Sequence, residues 1–320
     1  MMKLTRQLTL IFIAFIVCFT SCNNDDDSTT TLPVSNTIAD FVTNNANYSS
    51  LLAALQRTEL DKTLAGDGSF TVFAPNNNAF ETFLDGTALD DVPTETLRQL
   101  LLNHVIGDRV TSNMLTTGYV KNLAQESTTM ANLSMYINTA GGVVINGEST
   151  VTTADISTDN GVIHAVDKVI PLPTIVTFAT ADATFSNLVA ALTRDDQLDE
   201  NYVATLSTAN GTSPAPFTVF APTDDAFASL LTELSAGSLA DIDEATLTAT
   251  LNLHVVAGAN VRAEDLSSGT ITTLGGDITA DAPQATLTDA NNRVSNIIVT
   301  DVQAANGVIH AIDKVILPAL

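Results

Sequence analysis

The feature that most constrains this chain is an internal repeat. Residues 70–80 read FTVFAPNNNAF and residues 217–227 read FTVFAPTDDAF, so that eight of the 11 positions are identical. Residues 160–170 read NGVIHAVDKVI, and residues 306–316 differ from them only by one Val-to-Ile exchange. Two long matches in the same order indicate that the chain contains two copies of one folding unit.

The spacing of the copies predicts the domain organisation. The copies lie about 147 residues apart, which is too long for a solenoid repeat of 20–50 residues and is typical of whole domains in tandem. The 320 residues, 45% of them hydrophobic, also suffice for two packed cores. We therefore predict a first domain over residues 36–173 and a second domain over residues 174–320.

Each copy opens with a helical pattern. Apolar residues recur at i, i+3, i+4 and i+7, the stripe of an amphipathic helix. These residues are Tyr48, Leu51, Leu52 and Leu55 in the first copy and Phe185, Leu188, Val189 and Leu192 in the second. A buried strand follows in each copy, and about ten extra residues, around 206–215, precede it in the second. We expect these extra residues to form a loop, because loop insertions cost little free energy.

The remainder of each copy changes from helices to strands. Asn76, and Thr223 in the second copy, follow the Pro that ends the buried strand and are predicted to cap a helix. Thr94 and Asp243 are predicted to cap the next helix. The Asn-Gly pairs at 146–147 and 160–161 favour tight hairpin turns. Helices followed by strands, without βαβ alternation, predict an α+β fold.

The first 35 residues are typical of an exported, anchored protein. Lys3 and Arg6 precede an apolar run over residues 8–19 that is too short to span a bilayer, so residues 1–21 are predicted to be a signal peptide. Its end resembles a bacterial lipobox, which predicts lipid attachment at Cys22; the alternative is an ordinary signal peptide followed by a chance Cys. Residues 22–35 are predicted to be a flexible acidic tether. Its acidic cluster resembles a surface-export signal, and a solvated linker without an address is the alternative.

The charge of the chain excludes some partners. Its 12 Lys and Arg residues and 36 Asp and Glu residues give a formal net charge of −24. Nucleic acid is bound through clustered Lys and Arg, so we expect no nucleic-acid partner. An anionic membrane surface is disfavoured for the same reason, and membrane contact is expected only through the lipid anchor.

The two repeated segments resemble the paired signature boxes of fasciclin (FAS1) domains, and the resemblance covers nearly all of residues 36–320, twice. It implies a β-wedge of about seven strands flanked by helices in each domain, and a non-enzymatic role in extracellular adhesion or matrix binding. Many members carry a Tyr-His pair between the boxes, where this chain has Asn103-His104 and Leu253-His254. The signature positions, expected to be structural, are Asn76, Thr223, His104, His254, Asn160, Gly161, His164, Asp167, Asn306, Gly307, His310 and Asp313.

The candidate catalytic and metal-binding groups are few. All four histidines occupy repeated positions on apolar patterns, so we expect them to be buried and hydrogen-bonded to backbone or carboxylate groups. No His pair has the spacing of a zinc site, and no Gly-x-Ser-x-Gly motif is present. Asp224-Asp225 aligns with Asn77-Asn78, which indicates first-turn acids of a helix rather than a catalytic pair. We therefore predict no cofactor and no metal, although weak surface Ca²⁺ binding stays open.

These patterns support one leading hypothesis and two alternatives. The leading hypothesis is a non-enzymatic, surface-exposed outer-membrane lipoprotein of the cell envelope. It would mediate adhesion by binding an extracellular polysaccharide or protein ligand through its two domains. One alternative is a surface or periplasmic lipoprotein that captures a small metabolite in a cleft between the domains. The other is a hydrolase with an unrecognised site.

Overall fold

The computed structural model describes residues 36–195 and 201–319, so the predicted signal peptide, Cys22 and the acidic tether lie outside the described residues. The helices of the first domain are Ile38–Thr43 (α1), Ser49–Arg57 (α2), Leu60–Ala65 (α3), Asn77–Leu84 (α4) and Thr94–Leu102 (α5). Its strands are Phe70–Pro75 (β1), Val105–Ile106 (β2), Gly118–Gln125 (β3), Asn132–Asn138 (β4), Val144–Ile145 (β5), Ser149–Thr158 (β6) and Gly161–Val166 (β7).

The second domain repeats this order of elements. Its helices are Ile175–Ala181 (α6), Ser186–Leu192 (α7), Tyr202–Leu206 (α8), Asp224–Glu233 (α9) and Glu244–Asn252 (α10). Its strands are Phe217–Pro222 (β8), Val255–Ala257 (β9), Gly269–Thr273 (β10), Gly276–Asp281 (β11), Thr286–Thr288 (β12), Val294–Ala304 (β13) and Gly307–Ile312 (β14). Short 3₁₀ helices are Ala46–Tyr48, Leu89–Asp91, Ser112–Met114, Ala183–Phe185 and Leu239–Asp241.

Each domain contains one seven-stranded sheet. The strand orders are β2-β1-β7-β6-β5-β4-β3 and β10-β11-β12-β13-β14-β8-β9. The two signature strands of each domain pair in parallel, β1 with β7 and β8 with β14, and the other neighbours are antiparallel. The predicted α+β fold, with about seven strands per domain and flanking helices, is confirmed.

The signature strands lie between two apolar layers. Alternate residues of a strand point to opposite faces, so Val72 and Ala74 of β1 pack with the buried helix residues while Phe73 packs against Met135 and Ile145 of the antiparallel strands. In the second domain Val219 likewise packs with the buried helix residues, and Phe220 packs with residues of the antiparallel strands. The signature strands are therefore buried on both faces in each domain.

Two local predictions need correction. Thr94 is the first residue of α5 rather than its cap, because Pro93 precedes it as the N-cap residue and makes no side-chain cap hydrogen bond.

The extra residues of the second copy do not form one loop. Nine residues separate α7 from α8, whereas only two separate the equivalent helices α2 and α3 of the first domain. Ten residues separate α8 from β8, whereas only four separate the equivalent elements α3 and β1. The insertion is thus divided between the two sides of α8.

Within the described residues, no single helix is long and apolar enough to cross a membrane. The segments Ile175–Ala181 and Ala183–Leu192 satisfy the length and composition criteria only when joined across a 96° bend. Ile175, Phe178 and Leu188 of this pair are buried in the core of the second domain.

Candidate functional site

The signature residues meet on two neighbouring interior strands of each sheet. In the register of β1 and β7, Phe70 lies opposite Gly161 and Phe73 lies opposite His164. Strands β8 and β14 have the same register, with Phe220 opposite His310. The two boxes, distant in sequence, therefore form one paired unit in each domain.

Asn160 connects this unit to the helices. Its side-chain Oδ1 accepts the amide N–H of Ile38 at 3.0 Å, and its Nδ2 donates to the carbonyl oxygens of Leu64 and Gly66 at 2.8 and 2.9 Å. The start of α1 and the end of α3 are thereby joined to β7. Asn306 makes the same bonds in the second domain. Its Oδ1 accepts the amide N–H of Ile175 at 2.9 Å, and its Nδ2 donates to the carbonyl oxygens of Leu206 and Thr208 at 2.8 and 3.0 Å.

The glycine after each of these asparagines is required by close packing. A Cβ at Gly161 would lie 2.2 Å from the carbonyl oxygen of Phe70, and one at Gly307 would lie 2.2 Å from that of Phe217. A tight hairpin turn is present here but lies one residue earlier than expected: Thr158 pairs with Gly161, so Asp159 and Asn160 form the turn, and neither Asn160 nor Gly161 has the predicted positive φ. Positive φ angles are found at Asn146 and Gly147, at 50° and 74°.

His104 and His254 are buried at the ends of α5 and α10. The Nδ1 atom of His104 donates to the carbonyl of Leu100 at 2.8 Å, and its Nε2 accepts the amide of Ile170 at 2.9 Å. In His254 the Nδ1 atom donates to the carbonyl of Thr250 at 2.8 Å, and the Nε2 atom accepts the amide of Ile316 at 3.0 Å. Burial lowers the pKa of both imidazoles to about 4, although the bond to the main-chain carbonyl favours the charged form. Both rings are therefore neutral near pH 7.

His164 and His310 lie within the central strands. His164 Nε2 donates to the carbonyl of Val110 at 3.0 Å, and its Nδ1 accepts the amide of Asp155 at 3.2 Å. His310 Nε2 donates to the carbonyl of Val261 at 2.9 Å. Burial lowers the pKa of His310, against the opposing effects of the Val261 bond and of Asp301. These rings connect the last strand to the segment that follows β2 or β9.

The remaining signature residues bind nearby main chain. Asn76 Oδ1 accepts the amide of Ala79 at 3.0 Å at the start of α4, and Thr223 Oγ1 accepts that of Ala226 at 3.3 Å at the start of α9. These bonds satisfy amides that have no partner within the helix. The carboxylate oxygens Oδ1 of Asp167 and Asp313 accept the amides of Thr150 and Asn296, each at 2.7 Å. In residues 36–195 and 201–319, no three His, Cys, Asp or Glu side chains are grouped so as to hold a metal ion.

A second polar cluster joins the two domains and was not predicted from the sequence. The buried carboxylate of Glu126 accepts the amides of Thr128 and Thr129 at 2.9 and 2.6 Å in its own domain. It also accepts the side-chain amides of Asn210 and Asn260 from the second domain. Burial raises the pKa of Glu126, but the hydrogen bonds from Thr129 and Thr128 outweigh it and leave the pKa below its usual value.

The β3–β4 face of the first domain continues this junction. The Ser134 hydroxyl accepts the amide of Gln303 at 2.9 Å, in a buried position. The Lys121 ammonium donates to the same hydroxyl at 3.1 Å and to the carbonyl of Asp301 at 2.7 Å. Strand β4 therefore lies directly against β13 of the second domain.

Tyrosines complete the junction. The Tyr119 hydroxyl donates to the Asp182 carboxylate at 2.9 Å, and its ring meets Phe178 edge-on with the centroids 5.5 Å apart. Tyr136 lies beside Tyr119 at 5.0 Å and belongs to the core of the second domain. Burial and the neighbouring Asp182 raise the pKa of Tyr119, so its hydroxyl remains a donor.

A residue-by-residue comparison of the copies contains the signal for this junction. Tyr119 of β3 pairs with Tyr136 of β4, and Thr270 of β10 pairs with Thr279 of β11. The two registers therefore make Tyr119 equivalent to Thr270 and Tyr136 equivalent to Thr279. The tyrosines are wholly or partly buried, whereas both threonines are exposed. Large aromatic residues in one copy and small polar ones in the other indicate a face that is covered only once.

Known proteins resemble both halves of the chain. The fasciclin domain model matches residues 46–173 and 183–318. Two proteins of Synechocystis are similar to this chain. One is 34% identical over 140 residues, which cover 43% of this chain and 74% of that protein. The other is 38% identical over 148 residues, which cover 46% of this chain and 98% of that protein. The structure of a FAS1 domain pair from the insect cell adhesion molecule fasciclin I superposes with a TM-score of 0.52 at 20% identity, covering 85% of this chain and 97% of that one.

Proposed function

Because the chain belongs to the fasciclin family and carries two FAS1 domains in tandem, we propose that it is a non-enzymatic adhesion protein of the cell envelope. It would bind an extracellular polysaccharide or protein, and lipid attachment at Cys22 would hold it on the outer membrane with both domains outside the cell. The insect neighbour, described as a cell adhesion molecule, supports the adhesive role by analogy of fold.

The observation that carries the proposal is the free face of β10 and β11 in the second domain. Thr270, Thr272, Asp277 and Thr279 point outward from these strands and are exposed, while Ile278 between them is buried. The matching face of the first domain is covered by the second domain. The same surface of this fold thus binds protein in one copy and faces solvent in the other.

The chemistry of this face suits a neutral partner that is rich in hydroxyl groups, either a polysaccharide or a protein surface. Thr270 and Thr279 lie opposite each other, and the hydroxyl of Thr272 donates to the carboxylate of Asp277 at 2.8 Å. The chain's net charge of −24 disfavours acidic partners in the absence of divalent cations.

The domain junction supports a fixed pair of domains rather than a cleft that opens around a metabolite. The buried bond between Gln303 and Ser134 and the Glu126 cluster would have to break for the domains to separate. Buried hydrogen bonds of this kind cost ~1–3 kcal/mol each when one partner is left unsatisfied.

The binding face is tested by adhesion of the full chain on beads to cells and to extracellular polymers. The double variant Thr270→Arg with Thr279→Arg should reduce adhesion at least tenfold. The matched control, Ala228→Arg with Ser229→Arg on the exposed side of α9, carries the same added charge and should adhere as the wild type does. Equal adhesion of both variants would contradict a role for this face.

The anchor is tested separately. Cys22→Ser should abolish acyl labelling and release the protein from the membrane fraction, because Cys22 is the single thiol after the predicted signal peptide. Unchanged labelling in this variant would contradict lipid attachment at Cys22. Binding by the β10–β11 face does not depend on that result.

A further inference from the structure

The second domain contains an apolar cavity between its first three helices and its central strands. The cavity has a volume of about 280 Å³, and Phe185, Leu188, Tyr202, Leu206, Val219 and Leu251 are among the residues that line it. It opens between Val189 of α7, Val176 of α6 and Val203 of α8, which is 42% exposed. Access from solvent and a mostly apolar lining are both features of small-molecule sites.

The cavity has a local cause that the first domain does not share. Ala179 of α6 occupies the position of Val42 in α1, which leaves two methyl groups fewer in the same space. The nine-residue connection between α7 and α8 also replaces the two-residue connection between α2 and α3. Accordingly α3 packs closely on both α1 and α2, whereas α8 contacts α6 less extensively.

The polar groups in the lining are already bonded within the protein. Both nitrogens of His254 have main-chain partners, and the Tyr202 hydroxyl donates to the side-chain oxygen of Asn252 at 3.2 Å. At the opening, the hydroxyls of Thr180 and Thr193 donate to carbonyls of their own helices at 2.9 and 2.8 Å. No Lys, Arg, Asp or Glu is among the lining residues in the described part of the chain. A charged or strongly hydrogen-bonding ligand would therefore lose its water without gaining a partner.

From these observations we infer that the second domain binds a neutral hydrocarbon group, of the size of a short acyl chain or a bicyclic ring, in this cavity. An apolar cavity of ~150 Å³ stays dry and binds benzene, so a space of about 280 Å³ admits about a dozen carbon atoms. The site lies inside one domain, away from the β10–β11 face, and is independent of the adhesive role.

The experiment compares two fluorescent probes of nearly the same shape. Naphthalene is a neutral bicyclic hydrocarbon within that size, and naphthalene-1-sulfonate carries one negative charge on the same ring system. The full-length protein contains no Trp, so probe fluorescence is measured without that background. We expect saturable binding of one neutral probe per chain, at least tenfold tighter than binding of the sulfonate. Absence of saturable binding, or equal affinity for both probes, would overturn the inference.

Variants locate the site. Val189→Phe projects a larger side chain into the cavity and should weaken binding of the neutral probe at least tenfold. Leu52→Phe, the matched change at the equivalent position of α2, should leave binding unchanged. Ala179→Leu fills the cavity from α6 and should give the same loss as Val189→Phe, with a raised melting temperature that shows the variant is folded. Equal probe binding by Val189→Phe and Leu52→Phe would place the probe elsewhere and overturn the assignment.

Discussion

Strands β4 and β11 occupy the same place in the two domains but differ in their surroundings. Along β4, Leu133, Ser134, Met135 and Tyr136 are all buried, so both faces of the strand are covered. Strand β11 alternates between exposed and buried residues, as expected for a strand with one solvent-facing side. Duplication has therefore produced two copies of the fold but only one free copy of this face.

A second difference lies on the helical side. In the first domain α3 packs closely on both α1 and α2, whereas the second domain has an apolar cavity lined by residues of α6, α7 and α8. Both differences arise outside the signature strands, whose contacts are nearly the same in the two copies. The common core maintains the fold, and the variable regions around it are where the two domains can acquire separate roles.

The largest expected effect tests how alike the two cores are. Gly161→Ala and Gly307→Ala each place a Cβ 2.2 Å from a main-chain oxygen, so the central strand pair must separate, and we expect losses above ~4 kcal/mol in the unfolding free energy. Urea unfolding measures both. Gly141→Ala, where a Cβ meets open space, is the control and should change stability by less than ~0.5 kcal/mol. If Gly161→Ala caused a large loss of unfolding free energy and Gly307→Ala did not, the two cores would differ.

Acid should affect both domains equally through His104 and His254. Both are neutral in the folded protein, with a pKa of about 4, and accept a proton in the unfolded chain below pH 6.5. Their contribution to stability is complete above pH 6.5 and is lost as the pH falls toward 4, by up to ~3 kcal/mol per histidine. Unfolding free energies at pH 7, 5.5 and 4 measure this loss. The variant His104→Gln with His254→Gln should lose less stability over that range, and an unchanged pH dependence would contradict the assignment.

Exchanging residues between the copies tests how far the β3–β4 and β10–β11 faces differ. Tyr119→Thr removes an aromatic ring and a hydrogen bond from the domain junction, and we expect a loss of ~2 kcal/mol. Thermal unfolding should then separate into two transitions as the domains uncouple. The reciprocal change, Thr270→Tyr on the exposed face, should cost less than ~0.5 kcal/mol. Equal losses would mean that the two faces are energetically equivalent.

The smallest expected effect concerns the cavity. Ala179→Val restores the side chain of the first domain and should raise the unfolding free energy by ~1 kcal/mol, because two methyl groups become buried in existing space. Ala191→Val on α7 adds the same groups at a fully buried position outside the cavity lining and should be destabilising through overpacking. Destabilisation by both changes would indicate that the cavity closes in solution.

The sequence predicted the features that depend on local pattern and on likeness between the copies. The repeat, the helix stripes, the Asp243 cap and the turn at Asn146-Gly147 follow from spacing and residue type. The junction did not follow, because it depends on differences between the copies, and the search for a repeat emphasises what they share. Tyr119 against Thr270 was visible in the sequence, but only the sheet register makes the two positions equivalent.

Other features required three-dimensional distances. Gly161 is placed by the approach of the Phe70 carbonyl, a contact between segments that no spacing rule connects. The cavity depends on where the insertion divides around α8, and an alignment of two copies leaves that position undetermined. The partners of the buried histidines are main-chain groups of Leu100, Ile170 and Val110, which any sequence could supply.

The parallel pairing of β1 with β7 also constrains how each domain folds. Phe70 and Gly161 are neighbours in the sheet but stand 91 positions apart in the chain, and Phe217 and Gly307 stand 90 apart. Closing a loop of that length carries an entropy cost before any contact compensates for it, so a fold with such high contact order should form slowly. Until β7 has been synthesised, β1 has only the two-residue strand β2 beside it. An emerging first domain therefore exposes an unpaired apolar strand during its synthesis, and we expect it to need protection from aggregation until its last strand arrives.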